Sequence, residues 1–142
     1  MDNKAFLFFK KLCLFNYREI NVIRAVLVAI SIPIFTSQLE KSREAVDAAN
    51  IRAAYAEVAS SALTSDKVSW KSNAITIKQQ KTGWQSTIDF PTAITNMATI
   101  MDTTLPTQVW VQYVPGTAGA AGTFTVVSTD PGSTFKVAGT DD

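Results

Sequence analysis

The spacing of hydrophobic and polar residues changes along the chain and divides it into four stretches. Residues 1–24 are apolar but repeatedly interrupted by lysine and arginine. Residues 25–35 are almost continuously apolar, and residues 36–64 show helical spacing without glycine or proline. Residues 65–142 are richer in Thr, Ser, Val and Gly, and their apolar positions alternate. The pattern predicts an N-terminal helix followed by a sheet.

The apolar run 25–35, AVLVAISIPIF, is interrupted only by Ser31 and Pro33. A helix that spans a bilayer needs about 20 apolar residues, so this run alone is too short. Extending it backwards meets Arg24, whose charge is costly near the centre of a membrane. A span is therefore expected only if Arg24 lies near an interface or is paired. Pro33 removes one backbone hydrogen bond, which predicts a kink or local melting there.

The amphipathic stretch 36–64 carries one narrow apolar stripe that continues from Phe35. We expect this stripe to pack on the sheet, and its small residues suggest close packing; its members are Leu39, Val46, Ala49, Ala53, Ala56 and Leu63. Charged residues at helical spacings, Glu40 with Arg43 and Arg43 with Asp47, are interpreted as a solvated face.

Five segments after residue 65 read as short strands. Gln108–Val114 (QVWVQYV) is the clearest, and Thr123–Ser128 is expected to pair with it across a glycine-rich connection; the others are Lys67–Trp70, Ala74–Gln79 and an edge strand in Thr134–Ala138. Between them, Thr92–Asp102 is either a short helix or a loop with the apolar anchors Ile94, Met97, Ile100 and Met101. An antiparallel sheet of three to five strands covered by the helix gives an α+β fold.

Composition argues against several classes of function. The chain of 142 residues is long enough for one compact domain, and 46% of its residues are hydrophobic. It contains no histidine and a single cysteine, Cys13, so no catalytic residues, disulfide, metal site or cofactor site are predicted and an enzyme is not expected. The net charge of +1 predicts no nucleic-acid partner, and no small-molecule substrate is expected.

Four aromatic residues offer a binding alternative: Trp70, Trp84, Trp110 and Tyr113. They are candidates for a platform that stacks on a glycan or another polymer. Aromatic residues on alternating strands more often pack into a core or on a sheet face.

The segment 25–60, AVLVAISIPIFTSQLEKSREAVDAANIRAAYAEVAS, resembles the N-terminal helix of type IV pilin-like proteins, especially those of Gram-positive bacteria. The resemblance implies a hydrophobic half-helix that ends near a proline, then an amphipathic half packed on an antiparallel sheet. It implies a subunit held in the cell membrane with its head outside, then assembled with sister subunits into a pilus, or into a pseudopilus for secretion or competence. The implied contacts in membrane and filament are Ala25, Val26, Leu27, Val28, Ile30, Ile32, Pro33 and Phe35.

Residues 1–24 depart from the pattern of that family. Counting back from Pro33, the family's glutamate falls at Asn16, and no glycine precedes Gly83 to mark a leader peptidase site. Three interpretations are open: a wrong start or frameshift in the gene, a degenerate copy that does not assemble, or a divergent anchor. The first predicts Lys-Gly-Phe-Thr-Leu-x-Glu in another frame of the upstream DNA. Two functions follow from these patterns: a filament subunit, or a membrane-tethered module that binds a polymer through its aromatic residues.

Overall fold

The structure of the chain, a computed structural model, describes residues 3–65, 67–97, 99–117 and 119–140. One long helix precedes a six-stranded sheet, which makes the fold α+β, as predicted. The elements in chain order are α1 (Asn3–Thr64), β1 (Trp70–Lys71), β2 (Ile75–Thr76), β3 (Ile94–Thr95), β4 (Gln108–Val114), β5 (Thr123–Val127) and β6 (Lys136–Val137). The chain forms two compact units, of which the first ends at Leu39 and the second begins at Glu40.

Helix α1 joins three of the stretches seen in the sequence, because it includes residues 3–24, 25–35 and 36–64. It is continuous through Pro33, so the predicted local melting does not occur. The hydroxyl of Thr36 lies 3.1 Å from the carbonyl oxygens of Ile32 and Pro33. These bonds do not replace the bond that Pro33 removes, because a proline at position 33 leaves the carbonyl of Ala29 without its helix donor.

The sheet is mixed, which corrects the prediction of a purely antiparallel one. Its strand order is β3-β5-β4-β1-β6, with β2 also paired to β4. Strands β4 and β5 pair antiparallel, and Val111 lies opposite Val126. The pairs β3–β5 and β1–β6 are parallel. Parallel neighbours need long connections, and both pairs are far apart in the sequence, so local alternation could not reveal them.

The predicted strands are present with different lengths. Strand β4 has the predicted bounds, β5 pairs with it, and β6 lies at an edge of the sheet as expected. Strands β1 and β2 have only two residues each. The segment 92–102 contains turns and β3, and its anchors Ile94, Met97 and Met101 are buried while Ile100 is partly buried.

The core of the second unit lies between one face of α1 and one face of the sheet. Ile51 and Val58 of α1 and Val109, Val111 and Val126 of the sheet are completely buried. In β4, buried positions alternate with more exposed ones, as a strand covered on one face requires.

The stripe predicted to pack on the sheet is on the wrong face of α1. Leu39, Val46 and Leu63 are 41%, 48% and 88% exposed. The alanines of the stripe are also exposed: Ala49, Ala53 and Ala56. The packed face contains Ala48, Ile51, Ala54, Val58 and Ala62 together with the acidic residues described below. The acidic residues lie on the same side of the helix as Ile51 and Val58. Because acidic residues were expected to face solvent, the opposite side of the helix was predicted to be buried.

This assignment predicts different effects for two chemically identical substitutions in α1. Val58→Ala should lower the free energy of unfolding by about 2 kcal/mol because it leaves a cavity in the core. Val46→Ala should change it by less than about 0.5 kcal/mol because the side chain is half exposed. Urea unfolding of the chain in mild detergent, followed by tryptophan fluorescence, measures both. Equal destabilisation by the two substitutions would contradict the assignment of the buried face.

Candidate functional site

The first unit presents an apolar helix surface. The predicted contact residues lie in α1 with exposed side chains, from Val26 at 51% to Phe35 at 70%; the others are Ala25, Leu27, Val28, Ile30, Ile32 and Pro33. Exposure continues towards the N-terminus at Phe6, Leu7, Phe8, Phe9, Leu12 and Leu14. A patch of this size needs a partner surface, because soluble monomers rarely expose large contiguous apolar areas.

Helix α1 is long and apolar enough to cross a membrane, by length and composition. Its most apolar stretch of 18 residues holds no more than two charged residues, and none of it is buried in the structure. The run 25–35 was too short by itself, but α1 does not end at Arg24. The same helix can therefore supply the missing length on the N-terminal side.

The second unit contains an acidic ladder, which we define as Glu40, Glu44 and Asp47 of α1. These residues follow one another at four- and three-residue spacings, so they share one face of the helix. Their exposed fractions are 3%, 0% and 0%. Carboxylates are rarely so buried without partners.

The partners of the ladder are backbone N–H groups of the strap, which we define as residues 78–90 between β2 and β3. The strap contains no helix or strand, so its N–H groups need acceptors from elsewhere. Glu44 accepts N–H bonds from Gln85 at 2.7 Å and Ser86 at 2.9 Å.

Asp47 and Glu40 bind the beginning of the strap in the same way. Asp47 accepts from the N–H groups of Lys78 at 2.9 Å and Gln79 at 2.8 Å. Glu40 accepts from Gln80 and from Lys81, the latter at 2.7 Å. Three carboxylates thus bind six backbone N–H groups. Charge-assisted bonds of this kind are roughly twice as strong as neutral ones.

The charge on Glu40 is stabilised by its surroundings. Burial raises the pKa of its carboxyl group, but the N–H bonds from Gln80 and Lys81 and the nearby Arg43 outweigh that effect and leave the pKa below its ordinary value. The Arg43 guanidinium lies 3.3 Å from Glu40 Oε2 and donates to the side chain of Gln80 at 2.8 Å.

The ladder corrects the interpretation of these charges as a solvated face. Of these three charged residues, Glu40 and Asp47 are buried and Arg43 is partly exposed. The sequence does carry a signal that was missed: the acidic positions are in helical phase with Ile51 and Val58. Among the described residues, no group of three or more His, Cys, Asp or Glu is arranged to hold a metal ion. The arrangement fixes a loop on a helix.

The strap has further anchors at its glycine turn and its second half. The N–H of Gly83, which has a φ of 73°, donates to the carbonyl of Met101 at 2.7 Å. The indole of Trp84 donates to the carbonyl of Met97 at 3.3 Å and lies 5.2 Å from the Phe90 ring. Arg52 of α1 lies over that ring, 5.4 Å from its centre.

The four candidate ligand aromatics are not brought together on one exposed surface. Tyr113 is 8% exposed, and Trp70 and Trp84 pack against the core. The indole of Trp70 donates to the carbonyl of Ser65 at 3.2 Å. In β4, Trp110 alternates with buried residues, so its side chain lies on the face of the sheet away from the core. It is paired with Val127 of β5.

In comparisons with protein-family models, curated proteins and solved structures, nothing matches this chain.

The ladder predicts that replacing one carboxylate by an amide of the same shape is costly. Glu44→Gln should lower the free energy of unfolding by about 2 kcal/mol, because charge-assisted bonds are lost and an amide N–H₂ is placed against N–H donors. Glu57→Gln, an exposed position on the same helix, is the matched control and should have little effect. Urea titration of the full chain in detergent measures both, and an unchanged Glu44→Gln variant would contradict the role of the ladder.

Proposed function

We propose that the protein is a structural subunit of a type IV pilus-like or pseudopilus filament. In this proposal α1 holds it in the cell membrane, and the second unit is a head on the outer side of the cell. The observation that supports the proposal is the exposed apolar surface of α1 in a chain that also contains a folded α+β unit. The resemblance of residues 25–60 to pilin helices supports the same function.

Physical chemistry limits the environments that this surface can occupy. At about 25 cal/mol per Å² of apolar area removed from water, burying the helix segment 25–35 supplies several kcal/mol per subunit. A bilayer buries the apolar surface of this segment before assembly, and sister copies of the same helix bury it in the filament. Association of this kind is head-to-tail and does not close, so it builds filaments.

The exposed face of α1 in the second unit supports contacts between subunits as well. Val46 and Leu63 remain exposed there because the ladder and the core occupy the opposite face. Small residues along the same face let neighbouring helices approach closely, namely Ala49, Ala53 and Ala56. In the proposed filament this face contacts other copies of the chain.

The proposal predicts that assembly depends on the apolar segment. After removal of residues 1–35, the chain should be soluble and monomeric, whereas the full chain should form filaments or large assemblies when detergent is removed. Sedimentation velocity and negative-stain electron microscopy measure the two outcomes. A full chain that stays monomeric in detergent-free buffer would remove the physical basis of the proposal.

A matched pair of substitutions tests the surface more finely. Ile32→Lys places a charge in the apolar segment at a side chain that is 58% exposed, and it should strongly reduce filament yield. Ser37→Lys adds the same charge just beyond that segment and should be tolerated. Equal filament yields from the two variants would show that Ile32 does not lie in a subunit contact.

A further inference from the structure

The strap is attached to α1 by bonds in which the acceptors are carboxylates of the helix and the donors are uncharged backbone N–H groups of the strap. Six N–H groups of the strap donate to Glu40, Glu44 and Asp47, and none of these amide donors changes its charge between neutral and acid pH. The acceptors can gain one. A protonated carboxyl group presents an O–H donor and a weaker acceptor, so each protonation removes part of the attachment.

Apolar packing between the strap and α1 is incomplete. A cavity of about 240 Å³ lies beside them and is lined by Ala45 and Ala48 of α1 and by Ser86, Thr87 and Ile88 of the strap. Thr87 is exposed, and Ser86 and Ile88 are only partly buried. Along residues 78–86 the contacts to α1 are the carboxylate bonds and the bond from Arg43 to the side chain of Gln80. Gly83 and Trp84 are anchored elsewhere, to the carbonyls of Met101 and Met97.

The core of the sheet does not depend on these bonds in the same way. Strands β4 and β5 are paired antiparallel over five residues. The buried residues of these strands, Val109, Val111 and Val126, belong to the same core cluster as Ile51 and Val58. These contacts are apolar and do not titrate. Protonation of the ladder therefore removes bonds of the strap and none of these apolar contacts.

We propose that the strap is an acid-released latch, which detaches from the ladder on α1 when the carboxylates are protonated while the β4–β5 core remains folded. The latch is a property of the head and does not rest on the proposed filament function.

The charges around the ladder favour release in acid. The Arg43 guanidinium lies 3.3 Å from Glu40. Lys78 and Lys81 bind the ladder through their backbone N–H groups and are exposed residues. Lys41 and Arg52 border the cavity. The acidic neighbours are Asp102, beside Gly83, and Asp89 at the end of the strap. The basic groups stay charged in acid, so protonation of the ladder leaves an excess of positive charge at the contact.

The sign of the pH dependence follows from the lowered pKa of Glu40. A carboxyl group with a lowered pKa in the folded state stabilises that state fully above its ordinary pKa of about 4.5. The stabilisation is lost as the pH falls through the lower value. Release is therefore expected on the acid side of that ordinary value.

Hydrogen exchange with peptide-level mass spectrometry tests the latch on the full chain in detergent micelles, with rates corrected for the intrinsic effect of pH. Peptides covering residues 78–86 should lose most of their protection, namely that of the six N–H groups bound to the ladder, at a pH where peptides from β4 and β5 are still protected. Loss of protection in the strap and the sheet at the same pH would overturn the proposal. So would a strap that stays protected at every pH at which the sheet is folded.

Two variants assign the effect to the ladder. Glu40→Gln should lower protection of the strap at neutral pH by roughly tenfold or more and move its release to higher pH. In acid, after release, the sheet peptides of this variant should match those of the unmodified chain. Glu57→Gln is the exposed control and should leave the release pH unchanged. An unchanged release pH in Glu40→Gln would overturn the role of Glu40.

Discussion

The bonds between buried carboxylates of α1 and backbone N–H groups of the strap hold this irregular segment against the helix. A segment without helix or strand cannot be placed against a helix unless its N–H groups find acceptors, because unpaired buried donors are costly. The ladder supplies those acceptors from Glu40, Glu44 and Asp47. It therefore lets an irregular loop cover part of α1 that the small sheet does not cover.

The buried face of α1 consists of an acidic part and an apolar part. Near Glu40 the face is acidic and meets backbone N–H groups, whereas around Ile51 and Val58 it is apolar and meets the sheet. The two parts lie in helical phase and form one continuous face. As a result the opposite face, with Val46 and Leu63, stays exposed even though it is apolar.

Exposed apolar surface thus occurs in both units, for different reasons. In the first unit it surrounds the helix, since the residues of the segment 25–35 are exposed. In the second unit it is the narrow face of α1 that contains Val46 and Leu63, opposite the face that packs on the sheet and the strap. Both surfaces are suited to a bilayer or to copies of the same chain, and this is why a filament subunit is the function that we propose.

Local periodicity was enough to predict the helix over residues 25–64, the strongest strand pair and the α+β class, whereas the extension of α1 back to Asn3 was not predicted. Helical spacing before residue 65 and alternation in Gln108–Val114 were sufficient for them. Local periodicity did not reveal which face of α1 is buried or that the sheet is mixed. Both depend on partners distant in the sequence: the strap for Glu40 and its neighbours, and β1 for β6. A periodic pattern shows that a helix has faces, but the groups that meet each face decide whether a carboxylate is solvated or buried.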